Sequence, residues 1–72
     1  MKNKNKIKIK FNGKNLSIDQ NSTVFSLLKK LNMPLNKIAI ELNKKIIDKK
    51  KLIKITLNNK DNLEIVHFIG GG

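Results

Sequence analysis

Ile7-Lys8-Ile9-Lys10-Phe11-Asn12-Gly13-Lys14-Asn15-Leu16-Ser17-Ile18 decides the fold. Ile7, Ile9 and Phe11 alternate with lysines, the period-two pattern of a half-buried strand. Asn12-Gly13 is a preferred pair for a two-residue type I′ turn, whose central residues both need φ > 0. Leu16 and Ile18 then form the apolar face of a returning strand. The chain therefore opens with a β-hairpin.

Working outward, the residues before the hairpin, Met1-Lys2-Asn3-Lys4-Asn5-Lys6, are basic but lead into alternating Ile and Lys rather than a continuous apolar run. They do not read as a secretory signal. After the hairpin comes a polar break, Asp19-Gln20-Asn21-Ser22, in which Ser22 or Thr23 can cap a helix. Val24, Leu27, Leu28 and Leu31 sit at i, i+3, i+4 and i+7, one apolar stripe of a helix of about ten residues. Lys29 and Lys30 complement the dipole of its last turn, and Pro34 is expected to end it. Phe25 lies off the stripe, and Met33 reads as core filler.

Lys37–Leu42 alternates as a third strand, Asn43-Lys44 turns, and Ile46-Ile47 makes a short fourth. Asp48-Lys49-Lys50-Lys51 reads as a solvated connector. Leu52–Leu57 is ambiguous: Ile53, Ile55 and Leu57 alternate like a strand, whereas Leu52 and Ile55 could anchor a helical turn. After the polar turn Asn58–Asn62, Leu63–Ile69 reads as a final strand rich in β-branched and aromatic residues. A helix that follows a hairpin must lay its stripe across the sheet, because neither apolar face is buried alone. The expectation is a small α+β domain over residues 1–69, with a mixed sheet of four to five strands and one main helix.

Gly70-Gly71-Gly72 follows as a flexible tail, which by itself reads equally as a frayed terminus without a task or as a working end. Glycine is costly to order and cannot hold a fold together, but it fits passages too narrow for any side chain. From Ile69 the extended tail reaches about 13–14 Å, enough to carry a terminal carboxylate into a partner's buried site.

The 72 residues make one domain, of a size that buries only roughly 60% of its unfolded surface, which leaves little room for an enzyme's cleft. There is no cysteine, hence no disulfide framework, thiolate nucleophile or cysteine zinc site. One histidine and five scattered carboxylates assemble no catalytic or metal constellation. No apolar run approaches a membrane span, and the chain is expected in the cytoplasm, or in an organelle stroma if organelle-encoded. The net charge of +11 suggests nucleic acid, yet all 16 basic residues are lysine, whereas arginine is the usual reader of phosphates and guanines. Phe11, Phe25 and Phe68 are too dispersed for a base-stacking platform. The lysines read as a solvated coat, with weak polyanion binding and no specific nucleic-acid partner.

The hairpin with Asn12-Gly13, the helix signal Thr23-Val24-x-x-Leu27-Leu28, Ala39-Ile40-Glu41-x-Asn43 and the ending Glu64–Gly72 together resemble the ThiS family of sulfur carriers. The resemblance runs from about Ile7 to Gly72. It implies the β-grasp, ubiquitin-like fold, with first and last strands parallel at the sheet centre. It also implies a carrier rather than an enzyme. In that chemistry a ThiF-type adenylating enzyme, using its own ATP and magnesium, converts the Gly72 carboxylate to a glycyl adenylate. Sulfur from a persulfide then displaces AMP to leave a thiocarboxylate, and thiazole synthase takes the sulfur for the thiazole ring of thiamine. No cofactor is held by the carrier.

On this reading Gly72 is the modified residue, Gly70 and Gly71 keep the tail thin, and Ile69, Phe68 and His67 sit where it leaves the body and could touch the partner. His67 by itself reads as a surface strand residue. One departure stands out: the family's turn before the last strand commonly runs Asp-Gly-Asp, and here it is Asn59-Lys60-Asp61. Lysine tolerates φ > 0 poorly, so that turn is expected to differ or be strained. Three alternatives share parts of the pattern: the small subunit of molybdopterin synthase, a ubiquitin-like protein modifier, and a basic RNA-binding module.

Overall fold

Strict alternation delivers the opening hairpin. In the computed structural model, which describes residues 5–67, β1 (Lys6–Phe11) pairs antiparallel with β2 (Lys14–Asp19), Ile7 facing Ile18 and Ile9 facing Leu16. Asn12 and Gly13 take φ of 51° and 82°, both positive as a type I′ turn demands. No atom lies within 4 Å of a Cβ built on Gly13, so its conformation and not space calls for glycine.

Helix α1 spans Val24–Lys30. Thr23 is its N-cap, accepting from the Ser26 amide at 3.0 Å while the Ser26 hydroxyl accepts from the Thr23 amide at 3.0 Å, a reciprocal capping box. The helix is shorter than the stripe predicts, and Pro34 is not what stops it. Asn32 enters the left-handed region at φ 57°. The Met33 amide then donates to the Leu28 carbonyl and the Asn32 amide to that of Lys29, the paired bonds of a Schellman close. Leu31 is therefore the C-cap instead of the fourth member of the stripe, and it is 39% exposed.

After a 3₁₀ turn at Leu35–Lys37, β3 (Ile38–Leu42) and β4 (Lys45–Ile46) form a second hairpin about Asn43 and Lys44, both at positive φ. The lysine-rich stretch is not a plain loop. Asp48 accepts from the Lys50 amide and starts a 3₁₀ helix over Lys49–Lys54. This resolves the ambiguity of Leu52–Leu57 toward the helical alternative: Leu52 is buried while Ile53 is 61% exposed. The strand alternative shrinks to one bridge, Thr56 to Thr23, flanked by bonds from Val24 to Ile55 and from Leu57 to Ser22.

β5 (Asn62–His67) completes a five-stranded sheet in the order β2-β1-β5-β3-β4. It runs parallel to β1 and antiparallel to β3, the β-grasp arrangement. Ile9, Ile18, Ile38, Ile40, Leu63 and Ile65 from the sheet, Val24, Leu27 and Leu28 from α1, and Leu52 and Leu57 make the buried core. Phe25 and Met33 pack against its edge.

Two polar side chains tie β5 into place. Asn12 Oδ1 accepts from the Ile65 amide at 2.7 Å, and the Asn12 amide donates to the Leu63 carbonyl at 2.9 Å. The asparagine thus continues the β1–β5 pairing after β1 has turned away. At the base of β5, Asn43 donates to Asp61 Oδ1 and accepts from the Asn62 amide, while Asp61 Oδ2 accepts from the Asn58 amide at 2.7 Å. The turn between them holds Lys60 at φ 73°, the strained lysine that the departure from Asp-Gly-Asp predicts.

Asn12→Gly keeps a turn-compatible residue but deletes the acceptor for Ile65, and should lower unfolding stability by about 1–2 kcal/mol. Lys60→Gly should raise it by about 0.5–1 kcal/mol through relief of left-handed strain. Urea midpoints at constant slope check both.

Candidate functional site

The predicted site lies at the end of β5, and the strand registers fix where that end stands. Lys10 pairs with Asn62 and Phe11 with Leu63, after which β1 leaves the sheet. β3 stays with β5 to its last residue: Ile40 faces Ile65, Ala39 faces Val66, and Ile38 faces His67. β5 thus outruns β1, and beyond Ile65 β3 is its one strand neighbour among the described residues.

Hydrophobic alternation anchors this segment. Leu63 and Ile65 point into the core, whereas Val66 on the opposite face is 56% exposed. His67 shares the side of Ile38 but lies past the edge of the core and is exposed. Among the described residues it has no hydrogen-bond or ion-pair partner, and no carboxylate orients its ring. Its exposure leaves the ring accessible, and among the described residues no partner equips it for proton transfer. Of the other residues assigned to the site by sequence, Phe68, Ile69, Gly70, Gly71 and Gly72 lie outside the described residues.

A cleft of about 490 Å³ runs between β2 and α1, lined by Leu16, Ile18, Leu27 and Leu31 with Lys6 and Lys30 at its rim. The registers put it at the Lys6 end of the sheet, away from His67. Its polar lining (Ser17, Asp19, Ser22 and Ser26) contains no paired acid and base of a hydrolytic site. Among the described residues no group of three His, Cys, Asp or Glu side chains converges on one point, and no helix is long and apolar enough to cross a membrane. The arrangement can hold and display the end of a strand.

Sequence reasoning missed Asn12 as a structural side chain, seeing only its turn conformation. Nothing local marks that role, because its partner Ile65 lies 53 residues away. Asn43, read as a turn residue, likewise bonds across 18 and 19 positions to Asp61 and Asn62.

Comparison with known proteins agrees with this geometry. Residues 7–72 match the model of the ThiS family. The sulfur carrier protein ThiS of Bacillus subtilis is 34% identical over 65 residues, covering 89% of this chain and 98% of that protein. A thiazole synthase of Paramagnetospirillum magneticum is 38% identical over 66 residues, 92% of this chain. The chain spans only 20% of that synthase's length. The crystal structure of the thiamine biosynthesis protein ThiS from Geobacter metallireducens superposes with a TM-score of 0.81 at 26% identity, covering 92% of this chain and all of that one. By its sequence over nearly its full length and by its fold, the chain belongs to the ThiS family.

Proposed function

We propose that this chain is a sulfur carrier of thiamine biosynthesis and that Gly72 is its working residue. The observation that carries the reading is the family match over residues 7–72, which takes in the three glycines as well as the domain. A carboxylate is a poor acyl donor and is ionised at neutral pH, so it needs activation. A ThiF-type enzyme brings ATP and magnesium. A Gly72 carboxylate oxygen attacks the α-phosphorus, a P–O bond to pyrophosphate breaks, and a glycyl adenylate forms.

The terminal sulfur of a persulfide then attacks the acyl carbon and expels AMP. A thiol cleaves the resulting acyl disulfide, which leaves a thiocarboxylate on Gly72 and a disulfide on the donor side. The carrier's own part is mechanical. β3 holds β5 as far as His67, and Gly70 and Gly71 offer the least bulk to a narrow channel. Phe68, Ile69 and the exposed His67 are the residues for partner contact at its mouth. The reaction runs in the cytoplasm, on a chain that supplies a co-substrate and performs no catalysis itself.

The acceptor is thiazole synthase. Supporting this branch over molybdopterin synthesis, proteins named thiazole synthase contain a stretch similar to this chain within a much longer polypeptide. Intact-mass spectrometry after incubation with a ThiF-type enzyme, ATP, magnesium and a persulfide source should show exchange of one oxygen for sulfur. Addition of thiazole synthase and its substrates should return the original mass. A chain that stays unmodified, or that appears instead as conjugates on lysines of other proteins, would overturn the proposal.

A further inference from the structure

The face of the sheet turned away from α1 is divided in charge. Lys6, Lys8 and Lys10 on β1 stand opposite Asp19, Ser17 and Asn15 on β2, so one half is polar and basic. On the other half Ala39 faces Val66, Glu41 faces Glu64, and Ile46 flanks Glu41 from β4. Ile46 is 75% and Val66 56% exposed. This half carries the chain's only two glutamates, directly opposite one another.

Each aspartate of the chain has a structural task. Asp19 pairs with Lys6 at 3.0 Å, Asp48 starts the 3₁₀ helix, and Asp61 braces the turn before β5. Glu41 and Glu64 have none: among the described residues neither accepts a side-chain hydrogen bond nor forms an ion pair, in a chain with 16 lysines. Like charges directly opposite on a sheet are destabilising. Among the described residues no hydrogen bond or ion pair offsets that repulsion, and the compensating charge is sought in a partner.

We infer that Glu41 and Glu64, framed by Ala39, Val66 and Ile46, receive one cationic side chain, an arginine, that a protein partner presents from an apolar surround. Directly opposed residues hold their Cβ atoms about 4.5–5.5 Å apart, and the planar guanidinium fork suits two carboxylates so placed better than an ammonium does. The apolar frame argues for a protein, since burial of Val66 and Ile46 around the charge supplies the dry centre of an interface. A second copy of the chain is disfavoured, because two bodies of net charge +11 repel.

The pair and the lysine coat then divide the work. Sixteen lysines steer the carrier toward an acidic partner from a distance, and the glutamate pair rejects every docked register that fails to bring the cation to one spot. The inference rests on the carrier reading, in that it takes the ATP-dependent activating enzyme as the partner. Glu64 lies on the strand that feeds the tail, so the register fixed here also aims the tail.

Calorimetric binding to the activating enzyme and ATP-dependent pyrophosphate release test it with E41Q/E64Q, which removes charge and keeps shape. The double variant should bind roughly 10- to 100-fold more weakly and melt at the same or a higher temperature, because the repulsion is gone. Equal binding and turnover by wild type and variant would overturn the inference and leave the carrier function standing. So would sedimentation that shows a wild-type dimer abolished in the variant, which would assign the face to a second copy. Absence of pyrophosphate release with wild type would bring down the carrier reading and this inference together.

Discussion

The 2.7 Å bond from the Ile65 amide to the Asn12 side chain marks the constraint on which the architecture turns. β5 occupies the middle of the sheet, yet β1 accompanies it for only two residue pairs. Without a substitute for the departed strand, the Ile65 amide would be left unpaired beside the core, a loss of about 1–3 kcal/mol for a buried donor. Asn12 supplies the missing acceptor from within the tight turn itself. The same residue therefore reverses the first hairpin and secures the last strand. β5 can continue past its parallel neighbour because β3 holds its other side through Ile38 and His67.

This scaffold has modest means. Among the described residues eleven apolar side chains form the buried core, and a net charge of +11 works against compactness through self-repulsion. Short-range devices share the load: a capping box at Thr23, a Schellman close at Asn32, and the Asn43–Asp61–Asn62 network under β5. The exposed Lys6–Asp19 pair adds little by comparison. What these devices protect is the placement of one strand, and the proposed role of presenting that strand's end asks nothing further of the interior.

Most of the fold was legible in the sequence, since alternation at Ile7–Phe11 and Ile38–Leu42 and the stripe Val24, Leu27, Leu28 report directly on burial. The misreadings share a cause. Leu31 matched the helical period, but Asn32 adopts a left-handed conformation that ends the helix before the period can operate, and period analysis carries no signal for φ. Leu52–Leu57 satisfied two templates at once; the Asp48 cap and the burial of Leu52 with exposure of Ile53 decided between them. The strain at Lys60 was legible only through comparison with the family's turn. At the site, His67 was placed correctly on the surface of the strand, whereas the opposition of Glu41 and Glu64 required the strand register, which local sequence does not contain.

The central claim, that the fold exists to offer a slender C-terminus to another protein's nucleotide pocket, is tested most directly by bulk. A single tryptophan appended after Gly72 should leave the thermal transition of the domain unchanged and abolish adenylation and sulfur loading by the activating enzyme. Undiminished sulfur loading by that extended chain, with the added residue still present by mass, would contradict the account.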